Sequence, residues 1–390
     1  MGINNFQFQA NKNKRKVQNT KFQFMVKHSF PFVGREEVEE IKKIIKNGIL
    51  SSGKIVEKFE KKVLKFVGTR FSVAVNSGSA ALFLILKFLP KVFPDLSGKR
   101  KVVIPSFACP AISNAVLFAG YEPVFSDINL DTFALDFDDV KKKIGPDTLG
   151  IVYIHSFGIC NDLKDFVSLG VPVIEGIAQS FGGKVSGRFV GSYGVASFSS
   201  FYATKVITTA EGGAIFSDEK KLIDKIKDFI DYDKKDYEPD QFRFNFKMSD
   251  VQAAIGLAQL KKISYVLKRR KELGLYYIKK LHELGRFLKL PPKVNNIFFR
   301  FVVIADGSIN SENVIDFMRK KGIMADKPIW KPLHYFYGTS SNLENTEFAY
   351  EHGISLPIHL SITKKQIDLI SHILSKAMQM QVGKTLSKSF

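Results

Sequence analysis

The chain has 390 residues, 45% hydrophobic and 25% charged, the composition of a globular protein long enough for more than one domain. Its formal net charge of +20 is spread along the whole sequence without a zinc-finger, bZIP or RNP signature, so nucleic acid is not expected and the excess reads as a lysine-rich surface compatible with phosphorylated ligands. Cys109 and Cys160, its two cysteines, form no CxxC pair or cysteine–histidine cluster. Neither a zinc site nor a disulfide framework is indicated, and a reducing, cytoplasmic compartment is expected; no run is apolar enough to span a bilayer and no signal peptide is read at the start of the chain.

Residues 1–24 carry Lys12, Lys14, Arg15, Lys16 and Lys21 with no acidic residue. They read as a disordered basic arm, or as leader sequence before a start at Met25. Helical periodicity covers Arg35 to Asn47, ending at Gly48, and again Ile55 to Phe66. Phe71 to Val75 reads as a buried strand, and Asn76-Ser77-Gly78-Ser79-Ala80-Ala81 leads from it into a helix over Leu82 to Phe88. A small-residue turn at a helix start offers unpaired amides and the positive end of the dipole, an anion cradle.

Further strands are expected at Val102 to Pro105, Pro123 to Phe125, Leu149 to Ile154 and Val171 to Glu175, with a helix over Ala111 to Ala119. Such alternation predicts a mainly parallel sheet covered on both faces. Ligands of such sheets bind at the carboxyl ends of the strands, where Ser106 to Cys109, His155, Glu175 to Gln179 and Lys205 fall. Lys205 ends a short loop after the apolar run at Ser197 to Phe201, and Glu211-Gly212-Gly213 follows it. A surface lysine is the bland interpretation; a desolvated amine able to form a Schiff base is the functional one.

Beyond Asp218 the chain reads as helical, with an exposed charged loop from Asp231 to Asp240 and helices over Val251 to Leu260 and Leu267 to Leu284. A strand at Phe298 to Ile304, a helix over Ser311 to Lys321 and the apolar stretch Ile354 to Leu374 make a compact α+β unit. The expected division is a large domain over 25–260, a small C-terminal domain over 261–378 and a frayed tail over 379–390. Gly383-Lys384-Thr385 lacks the first glycine of a P-loop and carries no weight.

In order along the chain, Asn76 to Ala81, Pro105-Ser106-Phe107, Glu175 with Gln179, Ser200-Phe201 with Lys205, Glu211-Gly212-Gly213 and Asn245-Phe246-Lys247 resemble the DegT/DnrJ/EryC1/StrS sugar aminotransferases. The resemblance runs from about Pro31 to about Leu374. It implies an α/β fold of the pyridoxal-phosphate fold type I, with a mainly parallel central sheet flanked by helices. It further implies pyridoxal 5'-phosphate as cofactor, Lys205 as its Schiff-base lysine and acid/base, and Gly78, Ser79 and Ser200 around its phosphate. Gln179 would contact its phenolic oxygen, Glu175 and Cys109 would lie against it, and Asn245 would reach the phosphate from the partner subunit of a homodimer. His334 matches a histidine near the family's substrate site. The implied reaction moves an amino group from an amino acid, glutamate or glutamine, to a nucleotide-linked keto sugar, for polysaccharide or secondary-metabolite synthesis.

Three positions depart from the pattern. Gly176 stands where the family usually has the aspartate that keeps the pyridine nitrogen protonated, so either Glu175 or a residue from elsewhere takes its place or the ring is a weaker electron sink. Cys109 replaces an aromatic ring, and Lys247 replaces arginine. If the missing carboxylate alone limits the reaction, Gly176→Asp should accelerate it. The alternative is a cofactor-binding paralogue with weakened or lost transamination and a regulatory or partner role. Lys205 itself argues against the family's dehydratases, which carry histidine there.

Overall fold

The computed structural model describes residues 26–233, 242–338 and 342–386, the last five of these by backbone only. The basic arm over 1–24 and most of the charged loop expected over 231–240 lie outside the described residues. Two N-terminal helices, α1 (Arg35–Asn47) and α2 (Lys54–Val63), open the described chain, and α1 stops at Gly48 in the left-handed region, φ 71°. The elements after them are β1 (Phe71–Val75), α3 (Gly78–Val92), β2 (Lys101–Pro105), α4 (Ala111–Phe118), β3 (Glu122–Ser126), α5 (Phe137–Lys143), β4 (Thr148–Ile154), α6 (Lys164–Ser168) and β5 (Val173–Gly176). Next come β6 (Lys184–Val185), β7 (Arg188–Phe189), β8 (Ala196–Ser200), β9 (Gly213–Ser217), α7 (Lys220–Ile230) and α8 (Asp250–Leu281). The chain closes with β10 (Leu288–Lys289), β11 (Phe301–Ala305), α9 (Ser311–Lys320), α10 (Leu333–Tyr337), α11 (Glu344–His352), β12 (Gly353–Leu356) and α12 (Lys364–Leu386).

Seven strands form the main sheet in the order β1-β9-β8-β5-β4-β2-β3. The five from β8 to β3 run parallel, and β9 is antiparallel to both its neighbours. Their near-continuous apolar runs, such as Val102 to Ile104 and Leu149 to Tyr153, are buried because helices cover both faces. A three-stranded antiparallel sheet, β10-β11-β12, forms the second unit with α9 and α12. This is the α/β fold with a smaller α+β domain that the sequence predicts.

Three boundaries differ from expectation. The helices expected over Val251 to Leu260 and Leu267 to Leu284 are one helix, α8, so the division after Leu260 falls inside it. Leu257, Leu260, Ile263 and Val266 pack with the large-domain core, whereas Leu273, Tyr277 and Ile278 pack with the small one. The changeover therefore lies between Val266 and Leu273, where the apolar stripe of α8 passes from one core to the other. Val26 belongs to the small domain too: it bridges to Ile323 and is buried in that core. Finally, α12 continues through Leu386, so the segment expected to fray from Gln379 is helical up to that point.

Candidate active site

A cavity of about 690 Å³ opens where β5 and β8 end and α3 begins, and small-domain residues Arg300 and 326–330 close it from the other side. Ser77, Gly78, Ser79, Cys109, Gly176, Gln179, Ser200 and Lys205 all line it. These residues thus meet in one place, although more than a hundred positions separate the first from the last.

The cradle lies at the first turn of α3, which begins at Gly78, four residues before the expected start. Ser77 caps it by accepting from the Ala80 amide at 3.1 Å. The amides of Gly78 and Ser79 come before the first helical acceptor and are left to bind an anion. A Cβ on Gly78 would stand 2.7 Å from Ser200 Cβ, so only glycine lets α3 approach the end of β8 this closely. Ser200 consequently faces the same amides.

Lys205 opens onto the cavity and is enclosed by protein on its other sides. Burial, helped by the nearby Arg300 guanidinium and partly offset by Cys109, brings its amine down from 10.5 to about 8. Its Nζ lies 5.6 Å from the Phe299 ring centroid. Among the described residues it has no carboxylate partner, so the amine is poised to lose its proton and attack a carbonyl.

Gln179 is oriented by the Phe157 amide, which donates to Oε1 at 2.7 Å. Its Nε2 therefore serves as a donor into the cavity. Glu175, expected against the cofactor, takes another role. It is fully buried, is absent from the cavity wall, and accepts from the amides of Gly191, Tyr193 and Gly194 and from His155 Nε2. Alternation along β5 explains this: Glu175 points away from the side to which Gly176 belongs. No carboxylate on β5 thus faces the cavity. Around Gly176 the floor is Ile154 and Phe198.

Cys109 lines the cavity with an exposed thiol at the position of the expected ring. Asn245 is exposed, accepts from the Lys247 amide at 3.3 Å and does not line the cavity of its own chain. Phe246 O accepts from the Asn76 amide at 2.8 Å, which places Asn245 on the surface beside the cradle turn. Lys247 is held by Asp231 and Asp233 at 3.1 and 2.5 Å. His334, expected at the substrate, is buried behind the wall: Nδ1 pairs with Ser106 Oγ at 2.6 Å and Nε2 with Glu347 at 3.3 Å. It braces the loop after β2 against α10.

Sequence reasoning did not single out Arg300, Asp326 or Trp330 on the small-domain wall. A charged residue inside Phe298-Phe299-Arg300-Phe301 was the available signal for the first. Among the described residues no cluster of histidine, cysteine and carboxylate side chains could hold a metal, and no helix is long and apolar enough to cross a membrane. Pyridoxal phosphate fits the donors present: the α3 amides suit its phosphate, Lys205 its carbonyl and Gln179 its phenolic oxygen. The one mismatch is the apolar floor at Gly176.

The sequence profile of the DegT/DnrJ/EryC1/StrS aminotransferase family matches residues 31–375. A GDP-perosamine synthase of Escherichia coli O157:H7 is 28% identical over 329 residues, 82% of this chain and 89% of the relative. The spore coat polysaccharide biosynthesis protein SpsC of Bacillus subtilis is 32% identical over 267 residues, 64% of this chain and 67% of the relative. Among solved structures, Helicobacter pylori PseC, an aminotransferase involved in the biosynthesis of pseudoaminic acid, superposes with a TM-score of 0.84 at 24% identity, covering 91% of this chain and all of that one.

Proposed function

The chain belongs to the DegT/DnrJ/EryC1/StrS aminotransferase family, whose cofactor is pyridoxal phosphate, and from that premise we propose that it moves an amino group from an amino acid to a nucleotide-linked keto sugar. The donor in this proposal is glutamate or glutamine, and the product an amino sugar for a surface polysaccharide or a secondary metabolite. The named activities of relatives such as the GDP-perosamine synthase support the sugar acceptor. The observation that carries the reading is the meeting of a confined, easily deprotonated Lys205 with an anion cradle and the Gln179 amide in one cavity.

When bound, the cofactor supplies the carbonyl that takes up the donor's amine and the conjugated ring that draws electrons from the adjacent carbon. The protein does the rest. Gly78, Ser79 and Ser200 would bind the phosphate and so fix the position of what is attached to it. Gln179 Nε2 would donate to the phenolic oxygen. Lys205 Nζ would be the base that takes the proton from the donor carbon and holds it for return as an acid. The small-domain wall, Arg300 and Trp330 included, limits access of water to this space.

A homodimer completes the proposal, with Asn245 reaching the cradle of the partner subunit and the enzyme working in the cytoplasm. The exposure of Asn245, and of Phe118, Phe242 and Phe244 at 72%, 86% and 61%, supports a second copy covering this face.

The test is spectroscopic. Protein loaded with pyridoxal phosphate should change its absorbance on adding glutamate or glutamine, and nucleotide-linked keto sugars should restore it. Loaded protein that responds to no amino acid would favour a paralogue with lost transamination, which the floor of Ile154 and Phe198 beneath Gly176 specifically supports. Protein that cannot be loaded would overturn both.

A further inference from the structure

Arg300 immediately precedes β11 and lines the cavity together with Lys205. Its own amide donates to Phe157 O at 3.1 Å and its Nη1 to Pro328 O at 3.2 Å. Among the described residues no carboxylate lies within ion-pair distance of its guanidinium. The nearest acid in influence, Asp326, is engaged by Arg319 Nη2 at 2.8 Å and by the Lys327 amide at 2.9 Å. Arg270 stands behind it across a small void, buried, with Nη1 spent on the carbonyls of Phe298 and Phe299. Among the described residues Arg300 is thus a cation beside Lys205 with no ion-pair partner of its own, Asp326 on the same wall acting on it only from beyond ion-pair distance. Enclosed cations demand an anionic partner, and a guanidinium fork is shaped to take a carboxylate through two parallel hydrogen bonds.

We propose that Arg300 receives the α-carboxylate of the amino-acid donor. The assignment rests on the aminotransferase reading for the identity of that ligand. Covalent structure selects this anion over the others. A donor's α-carboxylate is bonded to the very carbon that bears the reacting amine, so its receptor must stand close to Lys205. The diphosphate of a nucleotide sugar is separated from a ring carbonyl by part of the sugar and the anomeric oxygen. The cofactor's phosphate belongs at the α3 cradle. Arg300 is near enough to Lys205 for its charge to act on the amine, and it is open to the cavity.

The test uses glutarate, a dicarboxylate with neither amine nor carbonyl. Cofactor-free protein is acylated with an uncharged reagent across a range of pH, and labelling of Lys205 is followed by peptide mass spectrometry. Glutarate should move the Lys205 labelling curve up by about one pH unit, because a carboxylate cancels the Arg300 charge. That shift should vanish in Arg300→Leu and survive in part in Arg300→Lys, which keeps the charge but not the fork. At a pH where both proteins are fully loaded with cofactor, Arg300→Leu should raise the glutamate concentration for half-maximal absorbance change about 10- to 100-fold. A glutarate shift that is equal in wild type and Arg300→Leu, or missing from both, overturns the assignment. If glutarate acts through Arg300 but no amino acid changes the loaded protein, the aminotransferase reading fails while the carboxylate receptor stands.

Discussion

Gly176 and Ile154 are register partners on the adjacent parallel strands β5 and β4, and a Cβ built on Gly176 overlaps Ile154 Cδ1 and stands 3.0 Å from Phe198 Cζ. Hydrocarbon from neighbouring strands has filled the room that a side chain at position 176 would need. Whether Gly176→Asp restores a carboxylate therefore turns on how far the end of the Ile154 side chain and the Phe198 ring give way. The single change should destabilise the fold by about 1–3 kcal/mol through overpacking and leave the rate of amine exchange with glutamate no higher. Combined with Ile154→Ala, which opens the floor, it should raise that rate. Chemical denaturation and single-turnover absorbance measure the two effects. A single variant as stable as wild type and faster would show that Ile154 swings aside at no cost.

The approach of α3 to β8 gives a second prediction. Gly78→Ala puts a methyl group 2.7 Å from Ser200 Cβ, against a strand end that has little freedom to move. The cradle should open by a few tenths of an ångström, and affinity for pyridoxal phosphate should fall about 10-fold or more, the worth of one charge-assisted hydrogen bond. Pyridoxal, which lacks the phosphate, should bind wild type and variant alike. Equal loss for both ligands would mean that the methyl group damages the site at large.

Much of this site was readable from residues 71–110 and 171–213 because strand–turn–helix punctuation is local. Ser77 as cap, Gly78 at the close approach and Lys205 beyond a buried strand each leave a short-range mark. What stayed hidden depended on side-chain direction or on contacts between distant segments. The sequence shows a glutamate at 175 but not that three amides from the loop before β8 and the His155 ring consume its carboxylate. His334 looks like a ligand in sequence, and only packing reveals Ser106 and Glu347 on either side of it. Arg300 reaches the cavity through the docking of one domain on the other. Likewise the unity of α8 was obscured because its buried stripe serves two cores in turn, which breaks the single periodicity a sequence window detects.

Glu175 should behave as a structural anchor. His155 Nδ1 accepts from the Asn161 amide at 3.2 Å, so its Nε2 carries the proton that it donates to Glu175 at 3.1 Å. With Gly191, Tyr193 and Gly194, four donors converge on one buried carboxylate. Glu175→Gln turns an amide group toward donors that need an acceptor, leaving at least one buried N–H unpaired. The cost should be about 2 kcal/mol or more, visible as a lower melting temperature. The absorbance of bound cofactor should change little in the protein that remains folded, because Glu175 lies off the cavity wall. A large spectral change with unaltered stability would contradict the anchoring role.

The last prediction concerns the proton on Lys205. Burial and the Arg300 charge disfavour its ammonium form and bring the amine from 10.5 to about 8. Only the neutral amine attacks a carbonyl, so the rate of cofactor attachment to cofactor-free protein should climb roughly tenfold between about pH 7 and pH 9 and then level off. Arg300→Leu should displace that rise to higher pH, since it removes one of the two causes. The same shift fixes a sign for stability. Between about pH 8 and 10.5 the unfolded chain holds the Lys205 proton and the folded chain does not, so this group makes stability increase with pH across that window. Lys205→Met should flatten the slope there and, because a neutral side chain carries no burial penalty, stabilise the protein most at neutral pH and below. Denaturation series at several pH values would reveal both. An attachment rate that stays flat from pH 7 to 9, or a wild-type slope that Lys205→Met leaves unchanged, would show that the amine keeps its ordinary basicity and that its confinement by the cavity has no chemical consequence.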